Sequence, residues 1–65
     1  MNNGYAICQN EWIRDMRISN DELRILIWVK NYGLTPKNEL TKILQIDESI
    51  LTAGLENLRK LGYIK

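Results

Sequence analysis

Apolar residues recur along the chain at helical spacing, in stretches separated by polar or glycine-containing segments. The first stretch, residues 10–16, places its apolar side chains on one side and predicts a short helix capped by Asn10. Before it, residues 5–8 alternate as a short strand does, with Tyr5 and Ile7 on the same face. The chain is therefore predicted to open with a strand followed by a helix.

The second helix has the clearest boundaries. Ser19 or Asn20 can accept backbone N–H groups at its start, and two acidic residues follow in the first turn, where the helix dipole favours negative charge. The helix should run to about Tyr32 and end at Gly33, which suits a left-handed closing residue. It carries two apolar stripes instead of one. Either it runs through the centre of the domain, or one side of it meets a partner.

Two further helices follow. Thr35 is the expected N-cap of the third, with Pro36 at its first position and an end near residue 44 or 45. The fourth runs from Glu48 to about Leu61, stops at Gly62, and leads into a predicted strand over residues 63–65. The apolar positions of these two helices and of the turn between them are predicted to be core: Leu40, Ile43, Leu44, Ile46, Leu51, Leu55 and Leu58.

The last two helices have the spacing of a helix-turn-helix motif, with Ile46 beneath the turn and Asp47 starting the second helix. The ending Leu-Glu-Asn-Leu-Arg-Lys-Leu-Gly-Tyr-Ile, residues 55–64, resembles the close of a winged-helix recognition helix. Together with the front half, from Tyr5 to Tyr32, it is similar to the N-terminal domains of phage and plasmid replication proteins, including the DnaD-like replisome organisers.

This resemblance implies a mainly α winged helix-turn-helix fold, with about four helices and a short N-terminal strand paired with the short C-terminal strand. It also implies that the helix over residues 48–61 binds the major groove of double-stranded DNA. Carried over by position, the nucleic-acid-binding residues comprise one outward face of this helix and, on the helix before it, residues that would contact the DNA backbone, which we call the approach residues. They are Lys37, Asn38, Lys42, Glu48, Ser49, Thr52 and Ala53, with Glu56 on the same face.

The composition of the chain limits the number of domains and the kinds of site that it can form. The 65 residues predict one domain over positions 1–65, and the single cysteine, Cys8, excludes an intramolecular disulfide and fits a reducing cytoplasm. The chain has no histidine, so a familiar zinc site and the usual catalytic triad are both excluded. We therefore expect no enzyme, no cofactor and no metal. The longest apolar run, residues 25–29, is too short for a membrane span.

The residues of the outward face do not all favour DNA. The net charge is only +1, and Glu48 and Glu56 would stand close to phosphates. A second hypothesis is therefore a protein-binding module that modulates a host replication or transcription factor without binding DNA. The surplus apolar surface around Trp28 also suggests a homodimer through that helix. DNA binding is the first hypothesis, because winged-helix domains mostly bind DNA.

Overall fold

The computed structural model describes residues 4–65, so the first three positions of the predicted 1–65 domain lie outside the described residues. Within this range the chain forms four helices and no strand. The mainly α character of the prediction is confirmed. None of these helices has the length and apolar character needed to cross a lipid bilayer. The helices are α1 (Asn10–Arg14), α2 (Asn20–Tyr32), α3 (Lys37–Leu44) and α4 (Glu48–Lys60).

Helix α2 runs through the centre of the domain. Its side chains Ile25 and Leu26 are fully buried, and Val29 is buried one turn further on. Both predicted stripes contribute to this core, because Leu26 belongs to one and Ile25 and Val29 to the other. Ile27 and Trp28, one from each stripe, are half-buried and pack around it. Of the two sequence-based alternatives, the central position is therefore the one observed. The remaining core side chains come from the other helices: Trp12, Leu40, Leu44, Leu51, Leu55 and Leu58.

Both ends of α2 follow the prediction. Ser19 is the N-cap; its hydroxyl accepts the N–H of Glu22 at 3.1 Å, while the Glu22 carboxylate accepts the N–H of Ser19 at 3.0 Å. This reciprocal capping box satisfies two donors that the helix leaves unpaired. Gly33 closes the helix at φ 86°, a backbone conformation that side chains with a Cβ rarely adopt.

A glycine lets α4 lie close against α2. Gly54 is buried, and a Cβ at this position would stand 2.8 Å from Ile25 Cδ1 and 3.3 Å from Glu22 Cγ. The first of these separations is well inside van der Waals contact. Gly54 therefore fixes how closely the two longest helices approach.

The predicted N-terminal strand is wrong. Residues 5–8 pair with no strand in the described structure. Instead, the backbone of Ile7 forms hydrogen bonds with the side chain of Asn31 in α2. The Asn31 carboxamide accepts from the Ile7 N–H at 2.9 Å and donates to the Ile7 C=O at 2.7 Å. A side-chain amide has the same donor and acceptor as a peptide group, so it takes the place that a neighbouring strand would have occupied.

The predicted C-terminal strand over residues 63–65 is also wrong. Gly62 adopts φ 89°, and the chain turns back on α4: the Tyr63 N–H donates to Leu58 C=O at 2.9 Å and the Gly62 N–H to Arg59 C=O at 3.1 Å. These two bonds make a Schellman closure. The expected pairing of the first and last segments, and with it the winged part of the predicted fold, is absent from residues 4–65.

Several smaller predictions are corrected as well. Helix α1 ends at Arg14, short of Met16, which is 95% exposed, and Gln9 instead of Asn10 is its N-cap. Helix α3 begins after Pro36, which takes the N-cap position predicted for Thr35, and the Thr35 hydroxyl instead accepts the indole N–H of Trp28 at 3.0 Å. Ile43, predicted to be core, is 44% exposed.

Candidate nucleic-acid interface

Helices α3 and α4 form a helix-turn-helix pair joined by residues 45–47. The turn depends on Gln45, which adopts a left-handed conformation at φ 57° and ψ 49°. The N–H groups of Gln45 and Ile46 both donate to the C=O of Thr41, the latter at 3.2 Å. Ile46 is half-buried against the core, as expected for a residue beneath the turn. The sequence-based placement of this turn is confirmed.

The pair is held to the domain from its inner side. Leu40 and Leu44 of α3 are buried, and α4 buries Leu51, Leu55 and Leu58. In addition, Arg24 of α2 donates from Nη2 to the C=O of Leu44 at 2.6 Å, which satisfies a carbonyl at the end of α3 with a charged donor. These contacts hold the two helices in place, so the position of their outer side relative to the domain is fixed.

The outer face of α4 contains the predicted base-reading residues. Glu48, Ser49 and Ala53 are exposed, and Thr52 is half-buried at the edge of the face. Lys37, at the start of α3, reaches across and lies with its Nζ 3.4 Å from Thr52 Oγ1. The structure thus places one predicted phosphate-binding lysine directly beside a predicted base-reading hydroxyl.

The two other approach residues lie on α3. Asn38 and Lys42 are both exposed, and within the described residues neither side chain is hydrogen-bonded to α4. The backbone C=O of Asn38 accepts a hydrogen bond from the hydroxyl of Thr41 at 3.0 Å. Lys37 is the approach residue that the tertiary structure joins to α4.

The charge of the face is mixed. Glu48 and Glu56 are exposed, and over residues 4–65 neither forms an ion pair. Asp47 occupies the N-cap position of α4, as predicted, but in the described structure its side chain accepts no hydrogen bond from the first turn. The N–H groups at the start of α4 are therefore left without a side-chain acceptor, and they favour an anion.

A second polar cluster lies away from this face, and sequence inspection missed it. Asp15 accepts from Arg17 at 2.9 and 2.7 Å, from the Arg17 backbone N–H at 2.9 Å, and from the Tyr63 hydroxyl. Its side chain is only 8% exposed, whereas that of Arg17 is 63% exposed. These donors hold the pKa of Asp15 well below its usual range, with the Arg17 side chain as the largest cause. The same carboxylate raises the pKa of Tyr63.

This second cluster fixes the end of the chain. Tyr63 follows the closing turn of α4 and ties it to the loop between α1 and α2. Asn57 acts nearby, donating to Glu22 Oε1 at 2.8 Å and to the C=O of Arg17 at 3.3 Å. Asp15 and Tyr63 are 48 positions apart, so no local sequence pattern predicts their contact. We assign the cluster a structural role.

Trp28, expected at a dimer surface, is largely engaged inside the domain. Its ring stacks on Tyr32 with centroids 4.2 Å apart at an interplanar angle of 33°, and its indole N–H is bonded to Thr35. Around these rings lies a shallow apolar groove, to which Ala6 and Ile27 also contribute. In the part of the chain that the structure covers, no group of His, Cys, Asp and Glu side chains is arranged to hold a metal ion.

Comparison with protein-family models, with curated proteins and with solved structures finds no match to this chain.

Proposed function

We propose that this protein is a small DNA-binding helix-turn-helix protein that acts in the cytoplasm as a regulator of replication or transcription, related to phage or plasmid replication proteins. The observation that carries the proposal is the position of Lys37, which brings a positive charge to Thr52 on the open face of α4. A cation beside a hydroxyl group on a helix face suits a phosphate next to a base edge. The resemblance of the sequence to the opening domains of replication proteins supports the same conclusion.

In this proposal the N-terminal half of α4 enters the major groove. Ser49 and Thr52 offer hydroxyl groups to base edges, and Glu48 offers an acceptor to a cytosine amino group. Lys37 and Lys42 hold phosphates on either side, assisted by the free N–H groups at the start of α4. Ala53 presents a methyl group suited to contact with thymine.

The carboxylates on the same face set the strength of binding. Glu48 and Glu56 repel phosphates, so one copy of the domain should bind weakly. Two copies on one duplex would double the number of phosphate contacts. We therefore expect function as a dimer, with a specific site of two half-sites.

The test is fluorescence anisotropy with a labelled random-sequence duplex, at low and near-physiological salt. The wild type should bind at low salt, and the double variant K37E/K42E should not. The matched control is K30E/K60E, which changes the net charge equally but alters exposed lysines outside the proposed interface. Each phosphate contact contributes roughly −0.9 to the slope of log K against log salt. Equal binding by the two double variants would contradict the proposed interface.

One observation favours a second function, in which the same pair of helices binds a host replication or transcription factor without DNA. Ile43 of α3 is 44% exposed and Ile50 of α4 is 41% exposed, so each helix of the pair presents an apolar side chain to solvent. Exposed apolar groups rimmed by charge are typical of protein interfaces. If the wild type does not bind DNA at low salt, purified host replication and transcription factors should be screened. Loss of a captured factor by I43E/I50E would then assign the face to protein binding.

A further inference from the structure

The segment over residues 5–8 is held along α2 by hydrogen bonds to its backbone. Asn31 bonds both backbone groups of Ile7, and a tyrosine hydroxyl of α2 donates to the C=O of Tyr5 at 3.3 Å. In extended backbone the N–H and C=O groups of successive residues point to opposite sides. The C=O of Tyr5 and both backbone groups of Ile7 are directed towards α2. We infer from this alternation that the backbone groups of Ala6 and Cys8 are directed away from α2.

Among the residues that the structure describes, this outward edge has no hydrogen-bonding partner. Within residues 4–65, no hydrogen bond engages the backbone groups of Ala6 or Cys8. Natural proteins normally protect such an edge with a charged residue, a proline or a bulge. Residues 4–10 contain neither a charge nor a proline. The edge is therefore open to another extended segment.

We propose that this edge pairs antiparallel with the same edge of a second copy of the chain. A two-fold axis at Ile7 would let the backbone groups of Ala6 form hydrogen bonds with those of Cys8 in the second copy. By symmetry, the backbone groups of Cys8 would form hydrogen bonds with those of Ala6 in the second copy. Ile7 would face Ile7 of the second copy as a non-hydrogen-bonded pair, the arrangement in which opposite side chains lie closest. The contact is isologous, as a two-fold dimer requires.

The chemistry of the segment suits a second copy of the chain as its occupant. Because residues 4–10 are uncharged, self-pairing places no like charges opposite each other. The Ile7 side chain, 67% exposed, gains an apolar partner. The bonds to Asn31 lie on the opposite edge, so pairing requires none of them to break. A chain of this size also gains stability from association.

The test is the mass in solution under reducing conditions, by sedimentation from micromolar to millimolar protein. The wild type should rise from 7.6 kDa towards twice that value with concentration. The variants I7K and I7E should each remain monomeric, because each places like charges across the axis. Their equimolar mixture should recover the dimer, because the introduced ammonium group of one variant then faces the introduced carboxylate of the other. This recovery depends on position 7 facing itself, which a general loss of surface hydrophobicity would not produce.

The matched control is I13K, since Ile13 on α1 is 60% exposed and lies outside the segment. It should dimerise as the wild type does, and circular dichroism should show that all variants are folded. A wild type that is monomeric at millimolar concentration overturns the proposal, as does a dimer that persists in I7K. Because no DNA is present, either result leaves the proposed DNA-binding function to its own test.

Discussion

The contact between α2 and α4 at Gly54 gives a prediction whose sign depends on two opposing effects. Replacing Gly54 with Ala in the middle of α4 favours the helix by about 1 kcal/mol. The added methyl group, however, would stand 2.8 Å from Ile25 Cδ1, and Ile25 is fully buried, so its methyl has little room to move. Overpacking of this kind costs about 1–3 kcal/mol. We expect Gly54→Ala to lower the free energy of unfolding by about 1 kcal/mol.

A second substitution isolates the cause. Ile25→Val removes the methyl group that clashes, and alone it should destabilise the protein by about 1 kcal/mol. If the effects were independent, the double variant would lose about 2 kcal/mol. Because the methyl group added at position 54 fills the space left by Cδ1, we expect the double variant to lie within about 0.5 kcal/mol of the wild type. The coupling is then about 2 kcal/mol in the stabilising direction.

Urea unfolding followed by circular dichroism measures the free energy of unfolding of the wild type, the two single variants and the double variant. Thermal unfolding gives a check, since 1 kcal/mol corresponds to a shift in Tm of roughly 4–8 °C in a domain of this size. The control pairs Gly54→Ala with Ile64→Val, the same chemical change at a half-buried position near the C-terminus. That pair should be additive. Coupling within about 0.5 kcal/mol of zero for Ile25→Val would refute the argument that this methyl group limits the approach of the helices.

Three further predictions concern polar contacts. Ser19→Ala removes the N-cap acceptor of α2 and should lower the free energy of unfolding by about 1 kcal/mol in urea; an unchanged midpoint would contradict the capping role. Asn31→Ala should speed hydrogen exchange at the Ile7 amide while leaving the core amides protected, and equal rates would show that the side chain does not hold the segment. Because the pKa of Asp15 is lowered on folding, its contribution is present above its unfolded pKa of about 3.9 and is lost as the pH falls through the folded value. The difference in stability between wild type and Asp15→Asn should therefore shrink as the pH is lowered from about 6 to about 3, and a constant difference would count against this linkage.

The sequence predicted the four helices well, because their signals are local. The spacing of apolar residues, the capping box that begins at Ser19 and the glycines at positions 33 and 62 each act within a few residues. The three-residue turn before α4 belongs to the same class, since Ile46 and Asp47 mark it directly. The residues of the candidate interface could therefore be named in advance, and most of them are exposed on the outer side of α3 and α4.

The tertiary structure decided what residues 5–8 and 63–65 do. Both segments have the alternation of a strand, but a strand requires a partner, and the partner is not encoded locally. The side chain of Asn31, 24 positions away, forms hydrogen bonds with the backbone of Ile7, while the N–H of Tyr63 donates to a C=O in the last turn of α4. The approach of Lys37 to Thr52 and the bonds to Asp15 likewise join residues that are distant in sequence. Local periodicity fixed the helices of this protein, and long-range hydrogen bonds fixed how its ends and its candidate site are arranged.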